Sequence, residues 1–168
     1  MTEDEVRETL SCGFDELPAG RRVLVLIPDG TRHAPMPMLF RLLNEVVGQR
    51  TSRLDYMIAL GTHPAMSEDA IARLIGMRAA ERKARYPQTS IFNHEWDRPE
   101  SLTRVGSLTA SDVEELTHGL LAEDIPVDLN RAIMNYDELI ICGPVFPHEV
   151  AGFSGGAKYV VPGVAGRT

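Results

Sequence analysis

Three short runs of almost uninterrupted apolar residues stand out along the chain: 22–27 (RVLVLI), 54–60 (LDYMIAL) and 138–142 (ELIIC). None alternates with polar residues, so each is expected to be covered on both faces, as strands of a parallel sheet are. Each run stops at a turn signal: Pro28-Asp29-Gly30, Gly61 and Gly143-Pro144. Between the first two, the spacing changes to a helical one, with Leu39, Leu42, Leu43, Val46 and Val47 on one stripe. Ser67 can cap a second helix that carries Glu68 and Asp69 in its first turn and Ile71, Leu74 and Ile75 on its apolar face. Residues 78–86 continue as a charged helical stretch closed by Pro87.

Weaker patterns fill the rest. Short strands are expected over 89–92, 102–108 and 125–129, the last pairing with the segment 116–121, and a short helix over 130–136. Nearly all-apolar strands alternating with helical periods predict an α/β fold. The expected architecture is a mostly parallel sheet flanked by helices, a Rossmann-like three-layer arrangement in one domain over residues 1–168.

Composition narrows the function classes. Seventeen basic residues against 24 acidic ones give a net charge of −7. That argues against nucleic acid or an anionic membrane as the main partner, since both need a basic footprint. A local basic pocket for a small anion stays compatible with it. Cys12 and Cys142 form neither a disulfide framework nor a zinc spacing, and Cys142, inside an apolar run, reads as a small buried hydrophobe. The opening residues MTEDEVRETL lack the apolar core of a signal peptide, and no stretch approaches 18 apolar residues. The expected compartment is the cytoplasm.

In open parallel sheets, ligands bind at the carboxyl ends of the strands. The first strand is followed by Asp29-Gly30-Thr31-Arg32-His33, the second by Gly61-Thr62-His63. The run 138–142 leads into Pro147-His148 and then into Gly152-Phe153-Ser154-Gly155-Gly156-Ala157-Lys158. An acid, an arginine, histidines and a lysine therefore collect at one end of the sheet. The glycine-rich stretch is not a P-loop: counted from Gly152, Ala157 and Tyr159 stand where that pattern needs glycine and serine or threonine. Its backbone N–H groups can still face an anion, with Lys158 as an anion contact or a nucleophile. The plainer reading is a turn with a solvated lysine.

His63 and His148 are candidate acid/base residues, because imidazole titrates near neutrality. Histidines occur at 33, 63, 94, 118 and 148, and none forms a metal-ligand spacing, so no metal site is assigned. His118 is expected on a solvated turn. Asn93-His94-Glu95-Trp96-Asp97 either borders the pocket or forms a capped turn. Arg32 offers a fork for carboxylate or phosphate, and Asp29 either accepts from a sugar hydroxyl or pairs with Arg32 in the turn.

The segment running from Pro147 through His148, Gly155, Gly156 and Lys158 to Gly166 resembles the signature of the lactate racemase family. Asp29-Gly30-Thr31-Arg32 resembles the family's Asp-x-Thr-Arg motif, Gly61-Thr62-His63 its Gly-Thr-His motif, and Asn93-His94-Glu95 a further family segment, all in the family's order. The resemblance implies a 2-hydroxy-acid racemase or epimerase, an isomerase that depends on a nickel-pincer nucleotide. It implies His63 and His148 as paired catalytic histidines, one for each enantiomer. Lys158 would hold the cofactor through a covalent thioamide link, and Asp29, Thr31, Arg32, Gly155 and Gly156 would lie in the cofactor and substrate pocket. The implied chemistry removes the hydroxyl proton to a histidine and the α-hydrogen, as hydride, to the cofactor.

Two positions depart from the family pattern: His33 replaces a proline, and Pro64 replaces a basic residue. Length is a third departure. The family's nickel-ligating histidine follows the cofactor lysine by more residues than remain before Thr168, and a C-terminal domain supplies further pocket residues. The chain alone is therefore expected to be an N-terminal domain without racemase activity. Two other readings stand beside this one. One is a non-catalytic nucleotide- or anion-binding domain that keeps the pocket. The other is an unrelated α/β hydrolase or phosphotransferase, disfavoured because the glycine-rich stretch is not a P-loop.

Overall fold

In the computed structural model, which describes residues 1–148 and 152–166, the elements in chain order are α1 (Glu3–Gly13), β1 (Arg22–Ile27), α2 (Met36–Val46), β2 (Arg53–Ile58), α3 (Glu68–Ile75), α4 (Ala79–Arg85), β3 (Ile91–Asn93), β4 (Leu102–Leu108), α5 (Ala110–Leu116), β5 (Ile125–Asn130), β6 (Glu138–Ile141), β7 (Phe146–His148) and β8 (Gly152–Ser154). Short 3-10 turns cover Pro99–Ser101, Arg131–Asn135 and Gly156–Tyr159. The apolar runs become a wholly parallel sheet in the order β3-β2-β1-β6. This is the α/β architecture that the hydrophobic pattern predicts.

Strand β1 lies between β2 and β6, with Val25 opposite both Tyr56 and Ile140. Val23 to Ile27 are completely buried, which is why the run contains no polar residue. One face of the sheet carries the larger core. There Val23, Val25, Ile27, Tyr56 and Ile58 meet Phe40 and Leu43 of α2 and Ile71 and Ile75 of α3. The other face is covered differently. Leu24, Leu26 and Met57 pack under Tyr159 and Val164, with Ile133 and Val160 beside them, so 3-10 turns form that layer. Asp55 is a charged residue inside a buried strand because its carboxylate is fully used: it accepts from Ser90 N (2.7 Å), from the Tyr136 hydroxyl (2.6 Å) and from Arg53.

The chain runs from β1 outward through β2 to β3, then crosses back to place β6 on the far side of β1. The reversal lies between β1 and β6, and all four carboxyl ends face one way, the arrangement that leaves a crevice for ligand. No helix among the described residues is long and apolar enough to cross a membrane.

Several expected elements differ. Segment 125–129 pairs with β4, antiparallel from Leu102↔Asn130 to Leu108↔Ile125, and not with 116–121. A capping box between Thr109 and Asp112 starts α5 instead. The helix then ends in a turn where His118 (φ 53°) and Gly119 (φ 83°) adopt left-handed backbone that a strand cannot contain. His118 is exposed there, as expected. The second strand ends at Ile58, two residues early, and the helix expected over 130–136 is the 3-10 turn Arg131–Asn135, capped by the Asn130 side chain on Ala132 N (3.0 Å).

Helix α1 and the β7–β8 hairpin carry little apolar signal and were not expected. A Thr2–Glu5 capping box and ion pairs to α2, Arg7–Glu45 (2.7 Å) and Arg41–Glu3 (2.6 Å), hold α1 with no residue fully buried. Glu149, Val150 and Ala151 of the long motif lie outside the described residues. Cys142, expected to be buried, is only half-buried against the larger core, and the burial it has pushes its thiol pKa up to about 11.

Candidate functional site

The loop after β1 is organised by one carboxylate. Asp29 is 7% exposed, and both of its oxygens are occupied. Oδ1 accepts from Thr31 N (3.0 Å) and from the Thr31 hydroxyl (2.5 Å), closing a tight Asx-type turn. Oδ2 lies 2.6 Å from His63 Nδ1. Burial, the largest single influence, raises the Asp29 pKa, but the hydrogen bonds from Thr31 and His63 together outweigh it and hold the carboxyl below its usual value. Asp29 is therefore ionised at neutral pH and can only accept. It follows that His63 Nδ1 donates, which leaves Nε2 as the basic nitrogen.

The His63 loop is fixed at both ends. His63 N donates to Leu60 O (2.9 Å), and Gly61 N donates across to Gly163 O (2.9 Å). Downstream, the Asn93 side chain grips the Met66 backbone twice, accepting from Met66 N (3.0 Å) and donating to Met66 O (2.9 Å).

The segment after β6 forms the opposite wall. The chain leaves β6 through Gly143-Pro144, makes the β7–β8 hairpin, and returns through Gly155 into the 3-10 turn that carries Lys158. Two glycines make this return possible. A Cβ at Gly143 would overlap the Tyr159 hydroxyl, and one at Gly155 (φ 81°) would overlap the Pro144 carbonyl. Tyr159 is 7% exposed between the walls, and burial pushes its hydroxyl pKa to about 12, so it stays a neutral phenol.

Between the walls lies a cavity of about 260 Å³ at the carboxyl ends of β1, β2 and β6. Asp29, Thr31, Arg32, His63, Gly155 and Lys158 all line it. Of the four residues expected in one cleft, Arg32, His63 and Lys158 line this cavity and His148 does not. His148 is exposed at the end of β7, on a hairpin that leaves the cavity rim at Pro144 and rejoins it at Ser154. Gly156 is one residue outside the lining, in the turn before Lys158. Asp29 does not pair with Arg32, which makes no ion pair with it among the described residues; His63 fills that place.

Three residues that carry this geometry are not among the candidate site residues: Tyr159 enters the sequence reading as a mismatch to the P-loop pattern, Gly61 as the turn that opens Gly-Thr-His, and Asn93 as part of a polar cluster. His94, in that same cluster, is 1% exposed and lies away from the cavity. Asn130 Nδ2 donates to its Nδ1 (2.9 Å), so its Nε2–H donates to Ala165 O (3.0 Å), tying the end of β3 to β5 and to the C-terminal segment. Burial, the leading cause, lowers its pKa and keeps it neutral. Among the described residues no group of three His, Cys, Asp or Glu could hold a metal ion.

Comparison with known proteins places this geometry. A family model described as the lactate racemase N-terminal domain matches residues 8–168. A lactate racemase from Thermoanaerobacterium thermosaccharolyticum is 25% identical over 160 residues, covering 90% of this chain and 32% of that protein. The chain thus spans about a third of the length of this curated relative. Among solved structures, a protein from Thermotoga maritima superposes with a TM-score of 0.81 at 33% identity, over 99% of this chain and 39% of that one. The lactate racemase apoprotein from T. thermosaccharolyticum superposes with a TM-score of 0.70 at 20% identity, over 95% and 37%, a likeness of fold.

Proposed function

The chain belongs to the lactate racemase family, matching its N-terminal domain, and from that premise we propose that the cavity between Asp29, His63 and Lys158 is the acid/base half of a 2-hydroxy-acid racemase or epimerase site. The observation that carries this reading is the Asp29–His63 pair at 2.6 Å on the cavity wall, with a lysine amine on the same cavity. Asp29 fixes the imidazole tautomer, so that Nε2 accepts the hydroxyl proton of the substrate, and its negative charge stabilises the imidazolium that forms. When the proton returns from Nε2, the cycle closes without net change at the histidine. Arg32 pairs with the substrate carboxylate through its planar fork.

His148 takes the same role toward the opposite enantiomer. The hairpin that carries it springs from Pro144 and Ser154, both on the rim of the cavity.

The residues present fit the organic part of a nickel-pincer nucleotide. Lys158 supplies an amine for a covalent link inside a cavity, and the Gly155 and Gly156 backbone and Thr31 lie beside it for the phosphate and sugar. For the metal they offer no three-donor cluster among the described residues, so its ligands are left unassigned. When bound, that cofactor supplies the acceptor for the α-hydrogen leaving as hydride.

The test is intact-mass analysis of the protein produced together with the enzymes that make the cofactor. The expected result is a covalent addition that maps to Lys158 and disappears in Lys158→Ala. An unmodified Lys158 would favour the anion-binding domain that keeps the pocket without the chemistry. In a cofactor-loaded protein containing this domain, His63→Ala should lower turnover by roughly 10²–10⁴-fold, the range for loss of a positioned general base.

A further inference from the structure

Arg32 lines two concavities. Beyond the cavity it also faces a broad groove of about 750 Å³ between the loop after β1 and helix α3. The floor of that groove is apolar, built from Pro37, Met66 and Leu74. Its polar lining includes Arg32, His33 and Arg73, and among the described residues no acidic side chain lines it. In a chain with a net charge of −7, this is a local reversal of sign.

Among the described residues neither Arg32 nor Arg73 forms an ion pair, as is also true of Arg78 and Arg131, whereas other arginines meet carboxylates, as in Arg22–Asp137 (2.7 Å), Arg41–Glu3 (2.6 Å) and Arg98–Glu95 (3.0 Å). Acids close by in sequence do not neutralise Arg73: Glu68 turns to Arg82 (3.4 Å), and Asp69, one turn earlier on α3, makes no ion pair with it. Two guanidinium forks with uncommitted donors, on either side of an apolar floor, suit a ligand with an aliphatic body and an anionic group at its far end.

We propose that this groove is an anion subsite that reads a second acidic group on the substrate, making the preferred substrates 2-hydroxy acids with a distal carboxylate or phosphate ester rather than simple monocarboxylates. The proposal rests on the reading of the adjacent cavity as a 2-hydroxy-acid site, with Arg32 shared between the two.

The experiment is an amide-resolved NMR titration of the chain with 2-hydroxybutyrate, 2-hydroxyglutarate and 3-phosphoglycerate. The two acids with a distal anionic group should perturb residues 30–37 and 66–74 together with the cavity loop. At least one should bind roughly tenfold more tightly than 2-hydroxybutyrate, an advantage that shrinks as salt is added. Whichever of the two leads separates a carboxylate reader from a phosphate reader. Arg73→Gln should collapse the affinity ratio toward one, while Arg78→Gln, an arginine outside the groove, should keep it. Equal affinities for acids with and without the distal anionic group, a ratio unchanged by Arg73→Gln, or no saturable response at 66–74 would overturn the subsite. Perturbation at the groove with an unmodified Lys158 would leave the subsite standing while the cavity reading fails.

Discussion

The two walls of the cavity are built in different ways. The wall from β1 and β2 grows out of the buried core: Val23 to Ile27 are completely buried, and the loops beyond them are closed by Asp29 and gripped by Asn93. The wall after β6 hangs from a shorter strand with alternate residues exposed, and its hairpin presents Phe146 and Phe153 to solvent (49% and 61% exposed). Its order comes from close approach, through Gly143, Gly155 and Tyr159, and from the ties of Gly163 to Gly61 and of Ala165 to His94. A histidine on the first wall comes with its orienting carboxylate in place. A histidine on the second is positioned by a hairpin. The molecule thus pairs a histidine held by a carboxylate with a histidine whose place depends on backbone packing, and perturbations should separate the two.

The largest effect should strike both walls at once. Leu26 is fully buried under Tyr159 and Val164. Leu26→Ala should cost about 2–5 kcal/mol in urea unfolding, the range for a buried leucine truncated in a packed layer. Next comes a break confined to the second wall. Gly155→Ala places a Cβ on left-handed backbone against the Pro144 carbonyl. It should cost roughly 1–3 kcal/mol and speed hydrogen exchange at Lys158 and Gly163 while leaving Thr31 and His63 protected. On the first wall, Asp29→Asn leaves one accepting oxygen where Thr31 and His63 now use two, turns an amide donor toward one of them, and should cost about 1–3 kcal/mol.

The smallest effect is one of pH, and it sharpens the contrast. His94 has a folded pKa below its unfolded value, because burial opposes its charge. The stability it contributes is present above the ordinary histidine range and is lost as pH falls through that range. Asp29 also has a depressed folded pKa, so its contribution holds above the ordinary carboxylate range and is lost only as pH falls below it. On acidification, amides of Ala165 and Gly166 should lose exchange protection first and those of Thr31 and His63 later. Simultaneous loss at both would show that the walls are one cooperative unit.

What the sequence made legible follows the same division. The strands β1, β2 and β6 could be read because burial on both faces leaves an unbroken apolar signature. Helix α3 could be read because Ser67, its acidic first turn and its apolar stripe agree. Asp29, Arg32, His63 and Lys158 could be found as candidates because they follow strand ends or a glycine-rich turn. Helix α1 is hard to read because its apolar stripe is thin, Leu10 and Phe14 packing only partly buried against the core, while charge pairs and a capping box hold the rest. The β7–β8 hairpin was hidden because its residues are exposed and its turn lacks a tight two-residue signal. The mispairing of β5 arose because the cap at Thr109 was overlooked. The Asp29–His63 contact could not be read at all, since it depends on the register of two parallel strands, Ile27 opposite Ile58, and not on local spacing.

That contact is the centre of the functional account, and ¹⁵N-labelled imidazole NMR tests it most directly. The account predicts that neutral His63 carries its proton on Nδ1, bonded to Asp29, with Nε2 unprotonated, and that Asp29→Asn abolishes this preference. A His63 ring protonated on Nε2, or one whose tautomer is indifferent to Asp29→Asn, would contradict it.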